Sequence, residues 1–171
     1  FPGGKGANQA VAAAKLGADV TMVGKVGADW FGDDILQVLE ANGVDIEHIL
    51  RDSAAPTGVG SVTIDELGNN RIVVVPGANL KYDLDDLKGV ESLFGQADIV
   101  LLQLEMDIRT IKAAVEIGAM YNVPVILNPA PAQQLDEDLL SKVSYLTPNE
   151  SEAELLTGVK ISDVQSAEAA A

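Results

Sequence analysis

The chain has 171 residues, 47% hydrophobic and 22% charged, a composition that suits a globular protein with one well-buried core and a length that suits one domain. Its 11 Lys+Arg against 26 Asp+Glu leave a formal charge of −15, which argues against nucleic acids and anionic membranes, partners that require basic surface. With 0 cysteines a disulfide framework is excluded, and no apolar run approaches the about 20 residues of a membrane span.

The chain opens on Phe1-Pro2-Gly3-Gly4-Lys5-Gly6-Ala7-Asn8-Gln9-Ala10. Glycines without a Cβ can take left-handed dihedrals and let a ligand approach the backbone. Residues 7–16 have high helix propensity and Gly17 stops them. A glycine turn feeding a helix collects unpaired N–H groups at the positive end of the helix dipole. Gly4, Lys5 and Asn8 would gather there, with Lys5 and Asn8 as fixed donors to a polyol or an anion. A Walker loop is excluded, because no Gly-Lys-Ser or Gly-Lys-Thr follows the four-residue gap.

Residues 19–27 form a strand of β-favouring residues closed by Gly27. Asp29 caps a helix over 30–42 whose apolar positions Phe31, Ile35, Val38 and Leu39 recur at helical spacing, and Gly43 ends it. His48 stands alone among apolar neighbours, without a second histidine or a cysteine to make a metal site.

The stretch 57–76 breaks the rhythm. Val59, Ser61, Thr63 and Asp65 alternate with Gly60, Val62 and Ile64; a turn at 66–69 then leads into Asn70-Arg71-Ile72-Val73-Val74-Val75. This is a β-hairpin signal, and the hairpin is expected to stand apart from the main sheet with Ile72 and Val74 on one face.

The strand–helix alternation returns with an acid-led helix from Asp83, a strand over 98–103 apolar on both faces, a helix over 107–121 and a strand over 124–127. A short acidic helix over 135–142, a strand over 143–146 and a helix over 149–157 complete it. Strands alternating with helices of this length predict an α/β fold, a right-handed parallel sheet with helices on both faces. Ligands of such sheets bind beyond the carboxyl ends of the strands.

Three strand ends carry pointed chemistry. Gln103-Leu104-Glu105 places a carboxylate that can accept from two sugar hydroxyls. Asn128-Pro129-Ala130-Pro131 is a stiff turn with a mainly structural task. Thr147-Pro148-Asn149-Glu150-Ser151-Glu152 places Asn149 as an N-cap and Glu152 as its capping-box partner.

The opening run resembles the first signature of the ribokinase family, the phosphofructokinase-B type of sugar kinases, and Gln103-Leu104-Glu105 and Asn149-x-x-Glu152 follow in the family's order. The resemblance implies a ribokinase-like parallel-sheet sandwich over 1–171, with a small lid hairpin at about 57–76. It implies ATP-dependent phosphorylation of a pentose, D-ribose first, with fructose, 2-keto-3-deoxygluconate or adenosine as alternatives within the family and a non-catalytic sugar-binding module outside it. Gly4, Lys5, Asn8, Glu105 and Ile72 would then converge on the sugar, Asn149 would face the nucleotide, and Glu152 would hold Mg2+ through water. ATP is the co-substrate, and a monovalent cation such as K+ and a homodimer through the lid belong to the same expectation, as does a cytoplasmic location. The chain starts at Phe1 without methionine and ends in an uncapped helical stretch, so it is expected to be part of a longer protein. The family's sugar-binding Asn-x-Asp, and the Gly-Ala-Gly-Asp that supplies its catalytic base and anion hole, do not occur where the resemblance needs them. Residues 1–171 alone are therefore expected to be inactive.

Overall fold

The computed structural model describes residues 1–64, 66, 68 and 70–171, the side chains of Asn70 and Ile72 excepted. It divides the chain into two compact units, Phe1–Tyr82 and Asp83–Ala171. The architecture is α/β, built from parallel sheets with helices on both sides and one separate antiparallel pair.

In the first unit α1 (Lys5–Lys15) presents Ala7, Ala10, Val11 and Ala14 to a core shared with Ile35 and Leu39 of α2 (Trp30–Ala41). The spacing of three and four residues is why both helices form here, since it puts the apolar positions on one face. Asp29 caps α2 as expected, accepting from the Gly32 N–H at 2.9 Å. Phe31 departs from the expected core face: it is 53% exposed and meets Trp30 edge to face, with ring centroids 5.3 Å apart. It sits in the first turn of α2, ahead of the Ile35 and Leu39 stripe that reaches the core.

The strand expected over 19–27 is two strands, β1 (Val20–Thr21) and β2 (Gly24–Gly27). β1 pairs in parallel with β3 (Val44–Asp45), and β2 pairs in parallel with β4 (Ile49–Asp52). The cause lies in the partner segment. Glu47 N–H donates to Asp45 Oδ1 and Ile49 N–H to the Ile46 carbonyl, so a turn containing His48 interrupts the ladder.

β5 (Val59–Ile64) and β6 (Asn70–Val75) pair antiparallel as their own two-stranded sheet, with Val62 opposite Ile72 and Gly60 opposite Val74. Val62, Ile64 and Val74 are exposed. Of the turn expected at 66–69, Leu67 and Asn69 lie outside the described residues, as does Asp65. A 3₁₀ helix over Gly77–Lys81 follows and packs on β2.

In the second unit, α3 (Leu84–Lys88) and α4 (Glu91–Phe94) precede β7 (Val100–Leu102), α5 (Ile108–Tyr121) and β8 (Val125–Leu127). Then come α6 (Glu137–Lys142), β9 (Tyr145–Leu146), α7 (Glu150–Thr157) and α8 (Val164–Ala170). The order β7-β8-β9 is parallel throughout. Val100 and Leu102 pack toward Val115, Val125 and Leu139, whereas Leu101, on the other face by the strand's period of two, is 40% exposed. The run 98–103 is thus not buried on both faces as its composition predicts. Among the described residues no helix is long and apolar enough to cross a membrane.

Candidate functional site

The opening turn is built as its glycines predict. Gly4 has φ 98° and ψ 148°, a conformation closed to most L-residues, and it is the N-cap of α1. Its lack of a side chain leaves the first turn without a side-chain cap. Lys5 begins the helix and Asn8, whose N–H donates to the Gly4 carbonyl at 3.0 Å, follows one turn on with its amide exposed. The structure therefore brings Gly4, Lys5 and Asn8 together on one helix turn of the first unit. Ile72 belongs to the same unit, on β6 opposite Val62, and its side chain lies outside the described residues.

The other residues belong to the second unit, at the carboxyl edge of β7-β8-β9. Glu105 stands just past β7 and is partly buried. The loop carrying it is tied to the next strand end. Asn128 N–H donates to the Leu102 carbonyl at 2.9 Å, and Leu104 N–H donates to the Ala130 carbonyl at 2.9 Å. Leu104, Pro129 and Ala130 are buried, so the Asn128–Pro131 turn braces the Glu105 loop from below. Asn128 Nδ2 in turn donates to the Thr147 carbonyl at 3.0 Å, which links the ends of β8 and β9.

Beyond β9, Asn149 and Glu152 form a complete capping box at the head of α7. Glu152 N–H donates to Asn149 Oδ1 at 2.8 Å, Asn149 N–H donates to Glu152 Oε2 at 2.9 Å, and Asn149 Nδ2 donates to Glu152 Oε1 at 3.1 Å. Glu152 is only 7% exposed. Both its oxygens are already engaged, yet a carboxylate has lone pairs for further partners, such as a water. Among the described residues no three His, Asp or Glu cluster as a metal cage. A single Glu acting through a water would fit Mg2+, which keeps several waters and takes few protein ligands.

One residue does more than its sequence role. Asp29, read as a helix cap, also accepts from both the N–H and the hydroxyl of Thr57. Its signal in the sequence is faint: glycines at 27 and 32 on either side, and a Thr-Gly opening the hairpin.

Parallel strands with helices around them define an α/β protein, and in such sheets the carboxyl edge, where these polar residues stand, is where ligands generally bind. The chain belongs to the pfkB family of carbohydrate kinases, whose pattern matches residues 1–171. It is similar to the ribokinase of Bacillus subtilis (strain 168), 45% identical over 159 residues that make up 91% of this chain and 53% of the relative. The ribokinase of Staphylococcus aureus (strain COL) is 41% identical over 166 residues, 97% of this chain and 55% of the relative. Among solved structures, Arabidopsis thaliana ribokinase complexed with ribose and ATP superposes with a TM-score of 0.88 at 33% identity, over 98% of this chain and 55% of that one. The chain spans about half the length of the curated relatives it matches.

Proposed function

We propose that the full-length protein carrying this chain transfers the γ-phosphoryl group of ATP to D-ribose, giving ribose 5-phosphate. The observation that carries this is the Gly-Gly-Lys-Gly-Ala-Asn-Gln run at the head of α1, in a chain matched throughout by the carbohydrate kinase family and similar to ribokinases. In this reading Gly4 lets the sugar approach the backbone, and Lys5 and Asn8 donate to its hydroxyls. Glu105 accepts from two hydroxyls and fixes the ring's orientation. Asn149 faces the nucleotide phosphates, and Glu152 holds Mg2+ through water. When bound, the metal neutralises phosphate charge. A monovalent cation such as K+ belongs to the same reading, with no ligand assigned in this chain.

The hairpin of β5 and β6 acts as the lid over the sugar. It is a separate sheet whose aliphatic face, with Val62, Ile64 and Val74, is exposed, which suits cover for a ligand or a second copy's hairpin in a homodimer. The location that fits ATP use is the cytoplasm, and the charge of −15 fits the absence of a nucleic-acid partner.

The test is ADP release by the full-length enzyme with ATP and Mg2+ against ribose, fructose, 2-keto-3-deoxygluconate and adenosine. Ribose should give the highest kcat/KM. A higher value for another acceptor would move the assignment within the family, and binding of ribose without ADP release would leave only a sugar-binding module.

A further inference from the structure

The hairpin joins the first unit through a base that is tied on both legs. On the exit leg, Ala78 N–H donates to the Pro56 carbonyl at 2.8 Å, and the 3₁₀ helix packs on β2, where Lys25 Nζ donates to the Lys81 carbonyl at 2.9 Å. Gly77 has φ +53° and lies against Pro56, leaving no room there for a Cβ. On the entry leg Thr57 is tied by three bonds. Its Oγ1 accepts from the Gly27 N–H at 2.9 Å and donates to Asp29 Oδ1 at 2.6 Å, while its N–H donates to Asp29 Oδ2 at 2.8 Å. Thr57 is 9% exposed; its bond from Gly27 is buried and its bonds to Asp29 are partly buried.

Capping α2 needs only one Asp29 oxygen, the one that accepts from Gly32. Both oxygens serve the hairpin's entry leg, Oδ1 by also accepting from the Thr57 hydroxyl and Oδ2 by accepting from its N–H. The bonds from Thr57, its hydroxyl first, hold the Asp29 carboxyl below its ordinary value, so it is charged at neutral pH. Hydrogen bonds to an ionised acceptor are shorter and stronger than neutral ones. The β5–β6 sheet pairs with no other strand among the described residues, so its direction is set at this base.

We infer that Asp29 is a positioning residue for sugar binding: through Thr57 it fixes the direction in which the hairpin leaves β2 and α2, and so the approach of the hairpin to the sugar. The inference rests on the reading of the hairpin as the lid. Asp29 touches no substrate in it. It makes the entry leg a stiff pivot, so that closing the hairpin does not first require ordering its base, a cost that binding would otherwise bear.

The test uses the full-length enzyme with three substitutions and one deletion. Asp29→Asn keeps Oδ1 for Gly32, and Asn caps helices as well as Asp, but its Nδ2 faces the Thr57 N–H donor to donor. Thr57→Val removes the hydroxyl at nearly constant shape, and Thr57→Ser keeps it. Asp29→Asn and Thr57→Val should raise the sugar KM by roughly tenfold with the ATP KM unchanged, the scale of one lost charge-assisted bond. Thr57→Ser should restore most of the affinity. Equal rises in both KM values, an unchanged sugar KM, or equal losses in Thr57→Ser and Thr57→Val would overturn the inference. Replacing 59–75 by a short linker separates it from the reading beneath. An unchanged sugar KM there removes the lid itself, whereas a raised sugar KM with an unaffected Asp29→Asn variant removes only the role of Asp29.

Discussion

Asn149 and Glu152 occupy each other: every oxygen of the Glu152 carboxylate accepts from Asn149, and the Asn149 side-chain oxygen accepts from the Glu152 N–H. A contact of either residue with nucleotide or metal is therefore coupled to the start of α7. Asn149→Ala should lower stability by about 0.5–2 kcal/mol through the lost cap. Glu152→Gln retains one acceptor and loses the charge. In the full-length enzyme it should raise the Mg2+ concentration for half-maximal activity by roughly tenfold, the scale of one charged hydrogen-bond partner. A Mg2+ titration that matches the unsubstituted enzyme would leave the pair as a cap and nothing more.

Glu105 offers a sharper separation between the two proposed substrates. Its loop is tied to the next strand end by the Leu104 to Ala130 bond, and circular dichroism of Glu105→Ala should be compared with the unsubstituted protein before its kinetics are read. The loss of a charged acceptor for sugar hydroxyls is worth about 1.5–3 kcal/mol, or roughly tenfold to a hundredfold in affinity. Steady-state kinetics should show that rise in the sugar KM with the ATP KM nearly unchanged. A sugar KM that stays put removes Glu105 from the sugar site.

Gly27 tests how tightly the hairpin base is packed. A Cβ there would meet the Thr57 nitrogen, and would lie 2.7 Å from the Pro56 carbonyl carbon and 2.8 Å from the Ala55 oxygen, all backbone atoms. Backbone cannot turn aside as a flexible side chain does, so Gly27→Ala should cost at least the roughly 1–3 kcal/mol of ordinary overpacking. Gly24, on the same strand, has nothing within 4 Å of its Cβ position. Thermal unfolding should show Gly24→Ala close to the unsubstituted protein and Gly27→Ala well below it.

What was legible in the sequence was local. The stripe Ala7, Ala10, Val11 and Ala14 marks α1 because helix periodicity is written within one turn or two. Asn149 and Glu152 lie three residues apart, and the cap chemistry of each needs nothing distant. The sheet was harder. The division of 19–27 into β1 and β2 depends on a turn in the partner segment, and β4 ends in Arg51 and Asp52, which carry no apolar alternation. The Asp29 to Thr57 bonds join residues 28 positions apart on different elements, so neither residue announces the other. Asp29 as a cap and Thr57 as a hairpin flank are each complete local readings, which hides the connection between them.

Asp107 gives the acid limb of stability a traceable component. It caps α5 by accepting from the Arg109 N–H at 2.8 Å and binds the Arg109 guanidinium at 3.0 and 2.7 Å. The Arg109 side chain, and then its backbone N–H, lower the carboxyl from its ordinary 3.8 to about 2. Over the window between those values the unfolded chain binds more protons than the folded one, so stability rises with pH there. The contribution is complete above 3.8 and is lost as pH falls through about 2. Asp107→Asn keeps the cap and removes the titration. Urea midpoints of the two proteins should differ least in acid and diverge as pH rises through this window, with the divergence reduced by salt because Arg109 is exposed. Parallel acid limbs would show that Asp107 contributes no such linkage.

Residues 1–171 produced alone should not phosphorylate ribose. Phosphoryl transfer depends on positioning and on electrostatic stabilisation of charge spread over the transferring group. This stretch holds the proposed sugar contacts and one Glu proposed to hold the metal, but no Gly-Ala-Gly-Asp occurs in it to supply the base and the anion hole that the resemblance assigns there. Glu105 is no substitute. A base must come within about 3 Å of the hydroxyl it deprotonates, and the proposed task of Glu105 is to hold other hydroxyls. Loss of a general base removes about 10²–10⁴-fold in rate, and loss of the anion hole about 10²–10³-fold more. Circular dichroism should first establish that the helices of the isolated segment are formed. An assay with ribose, ATP and Mg2+ should then give ADP release indistinguishable from the uncatalysed background. Turnover within roughly tenfold of the full-length enzyme, less than either loss alone would cause, would place the base and the anion hole inside this segment and overturn the roles assigned to its carboxylates.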